Sequence, residues 1–580
     1  MENIKNYFKI EERSTVLLAL FIFIAAVALT VIHYAMSRKK IDMKYWRIGC
    51  MIPIILSVVH LVIHRFTGDV SMTFTLYAAM YGAAILIGLW QFAYRTGRIY
   101  TISAVIVNIG AVGALVATLL IPLAISPAIH NFTRMSYGEA MKATIEAMKK
   151  EYVLSDWKDT DFDMIEDKVM PLAELADKEN NPGYFYTAMV TYAYYFYDRH
   201  VIPEALKPET VKYITEAKEN LAGNDYGMSM CTLDNGDTIA ILVEPQGEAY
   251  KAGIRNGTTI TTWDGVMVDE AVKDVQCIYP DLSFAVKENE DFFRPVFLAG
   301  KGGNTVEVGF VDENGNEGIT LLKATGSYKD RLDTAIYRFT YQDKMRLENF
   351  ECRMLTDTCG YMRISEEFFS FVKDAVSMVT GKYPALVKHL DKELGKLKEQ
   401  GMETLVIDLR NNVGGVDDIS SAVVSMFTDE TFFAHGIGVY ENGEYKVNEK
   451  HYVYGNGRYK DIEVAVLVNF ECCSAGDNMA YNFAKIDNAT IMGLTVSSGV
   501  DQNMGGLCVM PDSDFSIRYP AGLVLAEEGY PLIDTDESRK SNIELDVKIP
   551  FDYEAAIKIF ANGTEDYELQ YAIEYMEKDK

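Results

Sequence analysis

The sequence predicts a multi-domain chain in four parts: an α-helical membrane anchor of four helices, a helical domain, a β module and a mixed α/β core. Three observations predict it. Long apolar runs crowd the first 128 of 580 residues. The acidic residues are concentrated after that point. From about residue 326, short β-branched runs alternate with helical patterns, as a mixed α/β core requires. The expected boundaries are 1–128, 129–222, 223–325 and 326–580.

The apolar runs are Thr15–Met36, Ile48–Val62, Met72–Phe92 and Ile99–Ile125. Each is long enough, or nearly so, to cross about 30 Å of hydrocarbon as a helix. The first lacks a small-residue cleavage site and is followed by Arg38-Lys39-Lys40, so it reads as an anchor rather than a signal peptide. Basic residues favour one side: Arg38, Lys39, Lys40, Lys44, Arg47, Arg95 and Arg98 against Lys5, Lys9, Arg13 and Arg65. The basic-side-inside tendency then predicts a multi-pass protein of the cell membrane, with everything after residue 128 extracellular and the lipid bilayer as a partner. The runs read as packed anchors. The first, third and fourth contain no Asp, Glu, Lys or Arg, which argues against a transport pathway.

Formal net charge is −28, and residues 129–580 alone carry −34. Such a surface repels phosphate backbones, which excludes nucleic acid as a natural partner. The eight cysteines follow no zinc or disulfide spacing, no metal site is expected, and no cofactor is implied. Oligomeric state is not legible.

Apolar spacing predicts helices over Tyr137–Met148 and Asp163–Leu175, then a buried aromatic helix, Tyr184–Tyr197, running into Asp198-Arg199-His200. Residues 223–325 resemble a PDZ-type module. Asp225-Tyr226-Gly227-Met228 would be its carboxylate-binding loop, so Tyr226, Gly227 and Met228 are the expected peptide-binding residues. Pro245–Gly265 resembles the module's small helix and following strand. A module of this kind adds a peptide strand to a sheet edge. An insertion, Val266–Leu298, interrupts it before strands resume at Thr305–Phe310 and Gly318–Leu322.

In the core, Ala375–Glu399 and Val416–Phe427 read as helices flanking a buried strand that ends in Asp408-Leu-Arg-Asn-Asn-Val-Gly-Gly415. Val464–Val468 is a second buried strand. It runs through Cys472-Cys473-Ser474-Ala475-Gly476 into helical spacing at Met479, Phe483 and Ile486. A serine between strand and helix has its Oγ at the positive helix end. That suits a nucleophile, but on this stretch alone the commoner role, an N-cap, is the favoured reading.

These two segments resemble the carboxyl-terminal processing (tail-specific) proteases and their tricorn-like relatives, over roughly residues 135–560. The resemblance implies a serine-type peptidase acting on polypeptide. Ser474 would be the nucleophile, with Ala475 and the Gly414–Gly415 turn as the oxyanion hole. Cys472 and Cys473 are read as packing. The family's processing branch places a catalytic lysine in a segment that reads Thr495-Val-Ser-Ser-Gly-Val-Asp-Gln502 here. Ser498 stands where the lysine would be, and a serine hydroxyl is no comparable base. Ser498 and Gln502 remain as supporting residues. The tricorn-like branch uses a histidine before the PDZ module, a position matched by His200, with Asp198 as its orienting partner. Glu537 and Asp477 are further acidic candidates, and Lys485 is expected to face solvent. The expected function is a membrane-anchored serine endopeptidase cutting unfolded proteins or tails by acyl-enzyme chemistry. The alternative is a catalytically inactive relative that acts as an extracellular peptide-binding sensor or scaffold.

Overall fold

A computed structural model describes residues 129–205, 210–340, 350–369, 383–441, 443–511, 515–562 and 566–578. The four apolar runs predicted as membrane helices lie outside them. Among the described residues no helix is long and apolar enough to cross a membrane. The reasons are charge and length: Phe162–Glu179, the one described helix of 18 residues, carries Asp163, Glu166, Asp167, Lys168, Glu174, Asp177 and Lys178, and the apolar Pro182–Tyr194 has only 13 residues. The four-helix anchor, the lipid partner and the multi-pass, extracellular placement are therefore not supported by any described helix, and the functional reading does without them.

The described chain forms two compact units. In the first, β1 (Ile129–Asn131) pairs in parallel with the end of β16 (Asn503–Val509), at Leu507–Val509. The second, residues 134–504 and 514–580, holds everything that follows.

It begins with α1 (Tyr137–Glu151), α2 (Phe162–Glu179) and α3 (Pro182–Tyr194), each packed on the next. Ser136 and Glu139 close a capping box at the start of α1. Helix α3 is buried on all sides, which its continuous apolar and aromatic sequence requires. The chain then turns through Asp198–His200 into β2 (Ile202–Ala205) and α4 (Val211–Ala222).

The β module contains β3 (Ser229–Thr232), β4 (Thr238–Ile241), β5 (Thr259–Trp263), β6 (Val266–Met267), β7 (Thr305–Val311) and β8 (Glu317–Lys323), in the order β3-β4-β5-β7-β8 with β6 on β5. Between β6 and β7 the insertion folds back as α5 (Lys287–Leu298) and packs on β3. Helix α6 (Lys329–Thr340) follows β8.

The core sheet has β9 (Phe350–Met354), β10 (Cys359–Ile364), β11 (Thr404–Asp408), β14 (Glu463–Leu467), β15 (Ala489–Gly493) and β18 (Val547–Lys548), side by side in that order. All neighbours are parallel except β9. Its central strands are buried on both faces, so they read as unbroken apolar runs. One face, with Leu405, Ile407, Val464 and Val466, packs on α7 (Pro384–Glu399), α8 (Asp417–Val424) and α9 (Ala475–Phe483). The other, with Val406, Ala465 and Leu467, meets the C-terminal helix α10 (Tyr567–Glu577) and the β module. A long hairpin, β12 (Thr431–Glu441) and β13 (Glu444–Tyr454), pairs with β17 (Phe515–Leu525), which also takes β2 on its other part. The helix expected from residue 375 begins at Pro384; residues 370–382 lie outside the described set.

Candidate active site

Parallel sheets gather their ligand-facing loops at the carboxyl ends of the strands. Here that edge carries Glu367 after β10, Asn411–Gly415 after β11, Ser474 after β14 and Thr495–Gln502 after β15.

The polar run after β11 is anchored in three ways. The Arg410 guanidinium, fully buried, meets Asp408 (Nη2 to Oδ2, 2.7 Å), Asp566 (2.7 Å) and Glu568 (3.2 Å). Asn411 and Asn469 exchange hydrogen bonds at 2.9 Å, joining the ends of β11 and β14. Asn412 donates to Glu367 Oε1 (2.7 Å) and to the Ile364 carbonyl (3.0 Å), while its Oδ1 accepts the Gly414 N–H (2.8 Å). Glu367 holds the turn by backbone: its N–H donates to the Gly414 carbonyl and its carbonyl accepts from Val416. Burial pushes the Glu367 carboxyl up to about 8, so it is protonated at neutral pH.

Ser474 sits at φ +58°, ψ −129°, a left-handed backbone that an ordinary side chain rarely adopts. Its side chain makes no capping bond to α9, which removes the N-cap reading. The turn is fixed by Ser474 N–H to the Val500 carbonyl (2.8 Å) and Cys473 N–H to the Asn412 carbonyl (3.0 Å). A Cβ placed on Gly414 would lie 2.4 Å from Ser474 Cβ and 2.9 Å from its Oγ. The serine and the glycine turn are thus in contact.

Of the three amides expected to receive an oxyanion, that of Gly414 is already engaged by Asn412. Those of Gly415 and Ala475 have no hydrogen-bond acceptor among the described residues. Gly415 is at φ +157° against the Glu367 backbone, and Ala475 opens α9. The Cys473 thiol is buried and pushed up to about 12 by that burial, and Cys472 is raised further, so neither forms a thiolate near neutral pH.

Arg199, the residue before His200, pairs with Glu471, three residues before the serine, and no hydrogen bond joins His200 to Ser474 among the described residues. The ring is buried and Nδ1 has no hydrogen-bond partner among the described residues. Burial, with Arg199, Arg518 and Lys158 nearby, lowers its pKa below 6.5 against the opposing pull of Asp198. Asp198 does not hold the ring: one oxygen accepts the His200 backbone N–H (2.8 Å), the other the Tyr152 hydroxyl (2.7 Å). It fixes the backbone instead.

Ser498 stands beside the nucleophile turn, with its N–H on the Cys472 carbonyl (2.8 Å) and its buried Oγ without a partner among the described residues. Gln502 braces β17 through Val524 and donates to Asp534 Oδ2 (2.6 Å). Asp534 is buried at the meeting of these loops, and burial and Asp198 push it up to about 7. Sequence reading missed it, because only the fold brings it beside Gln502. Asp477 is buried under the turn and pushed up to about 8 by burial. Glu537 and Lys485 are exposed.

Tyr226, Gly227 and Met228 are not gathered into an open groove. Tyr226 and Met228 lie in the core, with the Tyr226 hydroxyl on the Gly303 carbonyl (2.7 Å). Gly227 N–H is held by Asp225 (2.8 Å), itself clasped by Arg331 at 2.9 and 3.0 Å. Beside this loop opens a pocket of about 530 Å³, lined by Asp225, Leu242, Val243, Glu244, Asp330 and Arg331 among others. The insertion helix α5 bridges module and core: Asn289 donates to the Val496 and Ser497 carbonyls (3.1 and 3.0 Å), and Glu290 accepts from Tyr194 (2.5 Å) and pairs with Arg539 (2.9 Å).

Residues 359–548 match the model of Peptidase family S41, a span that contains the glycine turn and Ser474. No curated protein matches the chain. Among solved structures it is similar to mature CPAF complexed with lactacystin (TM-score 0.45, 13% identity, 77% of this chain and 98% of that one). It is also similar to the photosystem II D1 C-terminal processing protease (0.30, 16%, 73% and 97%) and the tricorn protease (0.30, 12%, 77% and 37%). These TM-scores lie below 0.5, so the homology rests on the family match. Residues 359–548, within the α/β core, are thus the region homologous to the tail-specific, S41-type serine peptidases.

Proposed function

We propose that this chain is a serine endopeptidase that cuts unfolded polypeptides or protein tails through an acyl-enzyme on Ser474. The observation that carries the reading is the contact of Ser474 Oγ with the Gly414 turn, beside two amides that have no acceptor among the described residues. Oγ attacks the peptide carbonyl and His200 takes its proton. The Gly415 and Ala475 N–H groups receive the oxyanion. Collapse expels the amine, which leaves with the proton held by His200. Water then attacks the ester, losing its proton to the same imidazole, and the acid leaves as Ser474 Oγ takes that proton back. His200 suits this role because burial keeps it neutral, the form that accepts a proton. Gly414 contributes space, Asn412 and Glu367 hold the turn, and Ser498 and Gln502 shape the loop behind the serine. The pocket beside Asp225 and Arg331 supports peptide capture by the β module.

The test is degradation of a tagged unfolded protein by wild type, Ser474→Ala and His200→Ala. Both variants are expected to lose about 10³-fold or more in rate. A fully active His200→Ala enzyme removes His200 as base and leaves Ser474 in place. A wild type that binds the chain and never cuts it points to a peptide-holding relative.

A further inference from the structure

Away from the serine, β12 and β13 place His435 directly opposite His451. The rings stack at 4.5 Å between centroids and 14° between planes. Helix α8 packs on β13 and presents Asp418, whose Oδ1 lies 2.8 Å from His451 Nδ1. Each of the three residues offers one ligand atom, and these atoms lie within 4.8 Å of one another. A tetrahedral ion with bonds of about 2.0–2.2 Å holds its ligands a little over 3 Å apart, and each imidazole lone pair lies in its ring plane, so one ring must turn out of the parallel stack to close the set. A second observation points the same way. His435 is only 2% exposed, and its Nδ1 has no hydrogen-bond partner among the described residues. A buried nitrogen without a partner is costly, and its lone pair is what a metal takes.

We propose that Asp418, His435 and His451 form a site for a divalent first-row transition metal, with zinc the best fit. Two imidazoles and one carboxylate are a common zinc donor set, and a fourth position remains for water. Helix α8 starts two residues after Gly415. An ion here ties that helix to the hairpin and stiffens the turn against which Ser474 rests, so metal supply would tune the peptidase without touching substrate. The competing arrangement is a plain Asp418–His451 ion pair beneath a stacked neutral ring.

Titrating chelator-stripped full-length protein with cobalt(II) separates the two. The metal-site reading expects one equivalent of tetrahedral cobalt, seen by visible absorption and displaced by zinc, with a rise in Tm. His435→Phe and His451→Phe keep an aromatic ring in place. Each is expected to weaken uptake by roughly 100-fold or more, since even an outer-shell change costs 10–100-fold. Circular dichroism reports whether they fold. Absence of saturable uptake by folded wild type overturns the site, whatever the variants do. So does uptake unchanged in both folded variants.

Discussion

Gly414 lies so close to Ser474 that a Cβ added to the glycine would fall 2.9 Å from the serine Oγ, with φ already at +86°. Two residues 60 positions apart thus share one small space, at the carboxyl ends of adjacent parallel strands.

Gly414→Ala should therefore damage the site more than the fold. The strained backbone costs about 1–3 kcal/mol. The methyl displaces Oγ, and a displacement near 1 Å costs about 10²-fold in rate. Labelling kinetics and a urea melt on one preparation separate the two effects. A variant as fast as wild type would show that the contact is immaterial.

The acid limb of kcat/KM reports the free enzyme's base. Burial lowers His200, so its neutral form persists below pH 6.5 and is lost as pH falls through the lowered pKa. The limb is expected below 6.5 in wild type and should vanish in His200→Gln. A limb at 6.5 or above, or one that survives the substitution, assigns it elsewhere.

Glu367, Asp477 and Asp534 are held near 8, 8 and 7 by burial. Raised carboxyls bind more protons folded than unfolded between about pH 4 and 8. Stability should fall as pH rises across that window, by up to about 1.4 kcal/mol per pH unit for each differential proton. Asp477→Asn keeps an acceptor for the Val500 N–H and should flatten part of the slope in urea melts from pH 5 to 7.5. An unchanged slope would clear Asp477 of the effect.

Arg410→Met leaves Asp408 and Glu568 buried without their cation. Removing one member of such a network costs about 3–5 kcal/mol. Chemical denaturation should show that loss, with activity falling in step with the folded fraction. A loss below 1 kcal/mol would mean the acids simply protonate.

The strand-turn-helix around Ser474 and the glycine turn were legible because both faces of those strands are buried, which writes continuous apolar runs into the sequence. The supporting residues were not. Arg410 finds Glu568 across 158 positions, and α5 reaches Val496 from inside the insertion. No local pattern encodes either. His435 and His451 meet only through the hairpin register. Tyr226 and Met228 looked like groove residues, yet apolar side chains beside a loop are as easily core. The membrane anchor is read from runs that lie outside the described residues; within them the one 18-residue helix is charged, and the apolar Pro182–Tyr194 is too short to span.

The claim at the centre is that Ser474 is a nucleophile, and it is tested most directly by treating the full-length protein with a fluorophosphonate and mapping the adduct by mass spectrometry. The account predicts one adduct per chain on Ser474, absent from Ser474→Ala and slowed in Gly414→Ala. A folded wild type that takes up no label at Ser474, or takes it up equally elsewhere, would contradict it.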